Sequence, residues 1–97
     1  MQYNFEWDPR KSKTNITKHK VSFEQAAEVF LDPTHIAVFD GEHSETEERW
    51  VTIGKTRNKR LLVVAHTFAE HENHTVTVRL ISAREATQHE QRQYEEI

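Results

Sequence analysis

The sequence contains no cysteine, only two glycines and two prolines, and no long apolar run. Without cysteine it forms neither disulfides nor thiolate metal sites, which fits a reducing compartment without requiring one. Every apolar stretch falls short of the roughly 18 residues that span a bilayer. Residues 1–8 also lack the basic lead and apolar stretch of a signal peptide. We therefore expect a cytoplasmic protein that does not contact membranes.

Apolar residues are scarce as well, since 35% of the chain is hydrophobic and 30% is charged. A chain of 97 residues has room for one small core, so we assign residues 1–97 to a single domain. The low apolar content makes that core thin. We expect binding to a partner to add to its stability.

The charged residues are unevenly distributed along a chain whose net charge is −3. Cations concentrate in residues 1–20 and 55–60, whereas residues 40–48 are mainly acidic. A negative balance usually argues against nucleic-acid binding, because lysine and arginine supply most of the non-specific affinity for phosphates. The distribution predicts separate basic and acidic surfaces. The alternative is an ordinary solvated surface of mixed charge.

The N-terminal pattern predicts a strand followed by a helix. Tyr3, Phe5 and Trp7 alternate with polar residues, which is typical of a strand with one buried face. Asp8 and Pro9 then have the residue types of an N-cap and a first helical position. A basic helix is therefore predicted to follow the first strand.

The rest of the chain predicts a helix, four strands and a last helix. Ser22 and Gln25 have capping-box spacing, and Asp32-Pro33 ends the helix that they begin. Strands are predicted at residues 35–39, 49–55, 61–68 and 74–82. Ser82 and Glu85, again at capping-box spacing, begin a predicted helix over residues 83–96. We therefore predict an α+β fold in the order β-α-α-β-β-β-β-α, with an antiparallel sheet, two N-terminal helices on one face and a C-terminal helix.

An ordered set of short motifs spans nearly the whole chain. The motifs are Phe5-Glu6-Trp7-Asp8-Pro9, Lys11, Asn15, Lys18-His19, Val21-Ser22-Phe23-Glu24-Gln25-Ala26, Asp32-Pro33, Ile53-Gly54 and Ile81-Ser82-Ala83-Arg84. Each is too short to be diagnostic alone, but together and in this order they resemble the BrnT family of toxins.

The resemblance implies a RelE-like, microbial-ribonuclease fold and a bacterial cytoplasmic toxin. It implies metal-independent cleavage of RNA without a cofactor, which inhibits translation. It also implies a heteromeric complex with a BrnA-type antitoxin that neutralises the toxin, and contact with operator DNA only through that antitoxin. The acidic balance of this chain departs from what strong RNA binding by the isolated toxin requires.

Metal-free RNA cleavage needs a base for the ribose 2′-hydroxyl, cations for the phosphorane and an acid for the leaving 5′-oxygen. Arg79 is a candidate cation, because alternation with Val78 and Leu80 places it on the face opposite the core. An exposed strand cation or a pair with a glutamate would explain it equally. Arg84 is a second candidate, predicted in the first turn of the last helix, where an anion is welcome. Its alternative is a salt bridge.

Lys18 and His19 are candidates for a phosphate contact and a proton-transfer group. Both close the first predicted helix, so favourable interaction with its C-terminal dipole would also explain them. Arg49 is a further candidate, because alternation places it on one face with Val51 and Ile53. The alternative for Arg49 is an ion pair.

His66 is the last candidate, because its near-neutral titration suits acid or base chemistry. It shares a strand face with apolar residues, so a structural histidine is the alternative. His71 and His74 lie near it in sequence, but their spacing matches no zinc template, and we predict no metal site. Trp7 and Trp50 have the residue type that stacks on bases, although core packing explains both more simply.

A second class of function remains open, that of a non-catalytic adaptor. In that interpretation a sheet edge or the polar last helix binds another protein. Direct DNA binding ranks below both, because the sequence has no helix-turn-helix signature.

Overall fold

A computed structural model describes residues 2–96, which form a mixed sheet and three helices. The strands are β1 (Gln2–Trp7), β2 (Ile36–Phe39), β3 (Trp50–Lys55), β4 (Leu61–His66), β5 (Ala69–Glu70) and β6 (Thr75–Glu85), and the helices are α1 (Pro9–His19), α2 (Phe23–Glu28) and α3 (Gln88–Glu95). The predicted α+β class is confirmed, while the predicted order lacks the two-residue strand β5. Each helix of residues 2–96 is too short or too polar to cross a bilayer.

The sheet is mixed, so the prediction of an antiparallel sheet is wrong. Its strands are ordered β1-β6-β4-β3-β2, and β5 pairs with β6. β1 runs parallel to β6, from Gln2 beside Thr75 to Trp7 beside Leu80. All other strand pairs are antiparallel. Local periodicity identifies a strand but not its partner, and this partner lies more than sixty residues away along the chain.

The two N-terminal helices begin where the sequence predicts. The Asp8 side chain accepts a hydrogen bond from the Arg10 N–H at 2.8 Å, and Pro9 occupies the first turn of α1. At α2, Ser22 and Gln25 form the predicted capping box, each side chain bonding the other residue's backbone. These caps satisfy N–H groups that the first helical turn leaves without partners.

The core lies between one face of the sheet and the N-terminal helices. Val21, Phe23 and Ala26 are fully buried there against the alternate residues of β4 and β6. The sheet contributes Leu62, Val64, Val76, Val78, Leu80 and Ala83. The residues between these point to the other face, as strand alternation requires.

α3 begins at Gln88, so the prediction of a helix from residue 83 is wrong. Residues 83–85 continue β6, which buries Ala83 and pairs Glu85 with Leu62. The capping box that starts α3 is formed by Thr87 and Glu90. Ser82/Glu85 and Thr87/Glu90 therefore have the same capping-box spacing. Because residues 82–85 pair with β4, only Thr87 and Glu90 can begin the helix.

None of the α3 residues Gln88–Glu95 is buried, so polar contacts hold this helix against the rest of the domain. The Tyr94 hydroxyl donates to Asp32 Oδ2 at 2.5 Å and lies 2.6 Å from Thr34 Oγ1. Burial raises the pKa of Asp32, but donors from Tyr94, the Lys55 backbone and Thr34 outweigh it and lower that pKa well below its ordinary value. Asp32 is therefore a charged acceptor that fixes the end of α3.

Asn15 continues the pairing of β6 beyond the end of β1. Its side chain is buried, and its amide donates to Val21 O at 2.9 Å and Ala83 O at 2.8 Å. The Ala83 N–H donates back to Asn15 Oδ1 at 3.0 Å. An asparagine side chain thus supplies the donor and acceptor that a neighbouring strand would offer, and it fixes α1 against β6.

Candidate active site

The face of the sheet opposite the core, here called the open face, has a floor of small and apolar side chains. In cross-strand register, Val38 pairs with Val51, Val51 with Ala65, and Ala65 with Ser82. These residues line a cavity of about 400 Å³ together with Val63, Arg84 and Glu90. The face therefore offers a shallow, water-accessible surface next to charged side chains.

A bulge in β6 places two arginines on the open face. Leu80 pairs with His66 and Ser82 with Ala65, so β6 contains one extra residue, Ile81. An unbroken strand would direct residues 79 and 84 to opposite faces, because alternation has a period of two. The bulge inverts the alternation, so Arg79 and Arg84 both lie on the open face.

Arg84 therefore lies in a strand, and its predicted place in the first turn of the last helix is wrong. It pairs with Val63 of β4. The prediction that Arg79 lies opposite the core is confirmed, because Val78 and Leu80 on either side of it are buried.

Arg49 lies at the same end of the open face as Arg79. It precedes Trp50, which pairs with His66, and the Thr67 N–H that follows donates to Arg79 O at 3.0 Å. The register thus aligns Arg49 just before β3, Thr67 just after β4 and Arg79 in β6. Arg49 Nε is buried and has no acceptor among residues 2–96. Buried donors are normally bonded, so this N–H is available to an anionic ligand.

Carboxylates neutralise the other two arginines. Arg84 Nη1 and Nη2 bond Glu90 Oε1 and Oε2 at 2.7 and 2.9 Å, and Arg79 Nη2 contacts Glu47 Oε2. The bidentate bond from Arg84 lowers the pKa of Glu90 to about 2 despite its partial burial. The same bond raises the pKa of Arg84. The ion pairs considered from the sequence for Arg79 and Arg84 are therefore present, whereas no ion pair of Arg49 is found within residues 2–96. Each carboxylate occupies a position that suits a phosphate.

Lys18 and His19 lie in a second depression, here called the α1 groove, of about 300 Å³. The groove runs between α1 and the β6 bulge and is lined by Arg10, Lys11, Thr14, Asn15, Lys18, His19, Ile81 and Ser82. Ser82 lines both this groove and the open-face cavity. The two candidates from α1 are therefore next to the open face but not on it.

His66 lies apart from the other candidates, on the core face of β4. It is buried, with Nε2 at 2.7 Å from Thr52 Oγ1 and Nδ1 at 2.9 Å from Thr67 O. A carbonyl only accepts, so Nδ1 carries the proton and Nε2 accepts from Thr52. Burial lowers the pKa of His66 below 6.5. The geometry is that of a neutral structural histidine.

The remaining aromatic and histidine residues are also placed. Trp7 packs edge-on against Phe23, with ring centroids 5.9 Å apart. Trp50 lies beside Phe39, with centroids 5.4 Å apart, and lines a pocket on the side of His66. His71 Nε2 lies 2.8 Å from Thr77 Oγ1. Within residues 2–96, no three His, Asp or Glu side chains are grouped to hold a metal ion.

Sequence reasoning missed Glu47, Glu90 and Ser82. The Thr87-x-x-Glu90 spacing was a readable signal for Glu90 as a helix-cap residue, although not as the partner of Arg84. Glu47 belongs to the acidic segment, and no local pattern connects it with an arginine 32 residues away.

Two comparisons with known proteins agree with this description, and a third finds no match. A family model described as the ribonuclease toxin BrnT of type II toxin–antitoxin systems matches residues 7–90. The chain is similar to the Brucella abortus ribonuclease toxin BrnT, whose 1.1 Å crystal structure it matches with a TM-score of 0.62 and 26% identity over 91% of this chain and 100% of that one. No curated protein matches it. Since the family model covers most of the sequence, the chain belongs to the BrnT family of ribonuclease toxins of type II toxin–antitoxin systems.

Proposed function

We propose that this chain is an endoribonuclease that cleaves RNA on the open face without a metal ion. The observation that carries the proposal is the β6 bulge, which brings Arg79 and Arg84 to the same face of the sheet, where Arg84 lines the cavity. Membership of a ribonuclease toxin family supports the same reaction class. We further propose that the fold is RelE-like and that the protein acts in the cytoplasm, where RNA cleavage inhibits translation.

The reaction has four atom-level requirements. A base takes the proton of a ribose 2′-hydroxyl, the oxygen forms a bond to the adjacent phosphorus, the bond from phosphorus to the 5′-oxygen breaks, and an acid protonates that oxygen. Arginines that face the phosphorane stabilise its negative charge. We assign this role to Arg79, Arg84 and Arg49.

Proton transfer falls to a group at the edge of the open face. His19 is exposed and lines the α1 groove, which meets the open face at Ser82. We assign His19 a proton-transfer role and Lys18 a phosphate contact. We assign no such role to His66, because both its nitrogens are bonded inside the protein.

Substrate binding requires exchange of partners at the arginines. A phosphate, like a carboxylate, can bond a guanidinium through two of its oxygens. It can therefore replace Glu90 on Arg84 without loss of the bidentate geometry. Glu47 lies in the segment before β3 and leaves Arg79 by movement of a side chain. Both pairs are partly exposed, and such pairs contribute little to stability.

Purified protein incubated with a single-stranded RNA tests the activity. We expect cleavage that persists in EDTA and falls at least 100-fold in both Arg79→Ala and Arg84→Ala, since one charge-stabilising donor is worth about that much. Arg57→Ala is the matched control, because Arg57 is exposed and lies outside the open face. Folded wild-type protein that leaves RNA intact would contradict the nuclease and favour the adaptor.

The family also supports a protein partner. We propose that a BrnA-type antitoxin binds this chain in a heteromeric complex and that operator DNA is contacted only through the antitoxin. Co-expression tests the first part, because antitoxin should restore growth to cells that express the wild-type chain and should co-purify with it. An antitoxin that co-purifies without restoring growth would contradict neutralisation.

A further inference from the structure

Cations without partners fill the α1 groove. Arg10, Lys11 and Lys18 line it beside His19, and none of these three cations forms an ion pair within residues 2–96. In the same part of the chain, none of the residues lining the groove is acidic. Arg79 and Arg84 on the open face are, by contrast, each paired with a glutamate. The groove is therefore a strongly positive surface on a chain of net charge −3.

The positions of two of these cations are unfavourable for the helix itself. Arg10 and Lys11 occupy the first turn of α1, which contains no acidic residue. The N-terminus of a helix carries a partial positive charge, so cations in the first turn are unfavourable for the helix. Local sequence choices that oppose local stability are concentrated at functional sites. The Asp8 side chain already caps this N-terminus, so a bound anion would be attracted mainly by the cations themselves.

The groove is also held rigidly in shape. Asn15 forms part of its wall, and the three hydrogen bonds of its side chain join α1 to Val21 and Ala83. Two wall elements that are fixed to each other bind a ligand with little loss of conformational entropy. The hydroxyls of Thr14 and Ser82 add neutral hydrogen-bonding groups between the cations.

We propose that the α1 groove binds the backbone phosphates of the RNA segment next to the cleaved bond, with Arg10 and Lys11 as its outer contacts. This inference rests on the proposed nuclease function. Ser82 lines both depressions, so a strand that leaves Arg84 on the open face passes into the groove without crossing another element. Lys11 and Lys18 are separated by about 10 Å along the helix axis, since each residue rises 1.5 Å.

The chemistry of the lining favours RNA over an acidic protein segment. Protein partners are bound mainly through buried aromatic and apolar anchors. Among the described residues that line the groove, Ile81 alone is apolar, apart from the side-chain stems. A phosphate backbone needs only cations and hydrogen-bond donors, which the groove supplies.

The test uses a single-stranded RNA whose 2′-hydroxyls are all methylated, so that it binds but is not cleaved. Its affinity is measured by fluorescence anisotropy at several salt concentrations for wild type, for Arg10→Ala/Lys11→Ala and for the matched control Lys13→Ala/Arg57→Ala. The control removes two positive charges, as the groove variant does, but from residues that do not line the groove. The slope of log K against log salt is negative, and each phosphate contact adds about 0.7 to its magnitude. We expect the magnitude of the slope to decrease by about 1.4 in the groove variant and to change little in the control.

Cleavage measurements separate the two proposals. The groove variant should cleave a dinucleotide, which has one phosphate, with wild-type kcat/KM, and a longer RNA with kcat/KM at least 10-fold lower. Wild type that neither binds nor cleaves RNA would overturn the nuclease and the groove together. Wild type that cleaves both substrates while the groove variant keeps the wild-type slope would overturn the groove alone. A control variant whose slope changes as much as that of the groove variant would also overturn it. So would polyglutamate that binds wild type more tightly than RNA does and loses this binding in the groove variant.

Discussion

Substitution of the buried Asn15 should strongly destabilise this protein. In Asn15→Ala the Val21 carbonyl and both backbone groups of Ala83 lose their side-chain partner in a buried position. Each buried group left unbonded costs about 1–3 kcal/mol. With three such groups, the substitution should lower the free energy of unfolding by at least about 3 kcal/mol, a large part of the roughly 5–15 kcal/mol typical of a whole domain.

Urea denaturation followed by the fluorescence of Trp7 and Trp50 measures this loss. Thr17→Ala is the matched control on the same helix, because Thr17 is exposed and its hydroxyl makes a single bond of 3.2 Å to Lys13 O. We expect the control to stay within about 0.5 kcal/mol of wild type. Asn15→Asp should be at least as damaging as Asn15→Ala, because it sets a carboxylate oxygen against two carbonyls. An Asn15→Ala protein within about 1 kcal/mol of wild type would refute the role given to Asn15.

Two further predictions concern the core face of the sheet. The folded protein lowers the pKa of His66 below its ordinary 6.5, so the stability that depends on the neutral imidazole is complete above pH 6.5 and is lost as pH falls through the folded pKa. The free energy of unfolding should therefore decline as pH falls from about 6.5 to 5. A folded His66→Gln variant with the same pH dependence would contradict this. In Gly54→Ala the new Cβ would lie 2.8 Å from Val29 Cγ1 and 3.1 Å from the Val29 carbonyl oxygen. We therefore expect urea denaturation to show a free energy of unfolding lower by about 1–3 kcal/mol. A variant as stable as wild type would contradict the close contact.

Local signals in the sequence predicted local structure well. The caps at Asp8 and Ser22 are satisfied within three residues, so they depend little on the rest of the fold. The alternation of residues 61–68 identified β4 and placed His66 beside Leu62 and Val64 because burial of one face repeats every second residue. These features need only the chain segment that contains them.

Long-range pairing accounts for the errors. The parallel partner of β1 and the β6 bulge are set by which strands meet, and neither leaves a periodic trace. Arg84 was placed on a helix because Ser82-x-x-Glu85 imitates a capping box, whereas pairing with Val63 holds it in a strand. For the same reason the sequence identified three arginines as candidates but could not show that a bulge brings Arg84 to the face of Arg79.

The parallel pairing of β1 with β6 also affects the order in which the protein is made. Residues 2–7 are synthesised well before their partners, residues 75–80. The strand that carries Arg79 and Arg84 therefore leaves the ribosome after β1 to β5, and the edge of the sheet closes only afterwards. Contacts between distant segments slow folding. A nascent chain of this toxin consequently has no assembled arginine face, and a partner that binds during synthesis would meet it before that face exists.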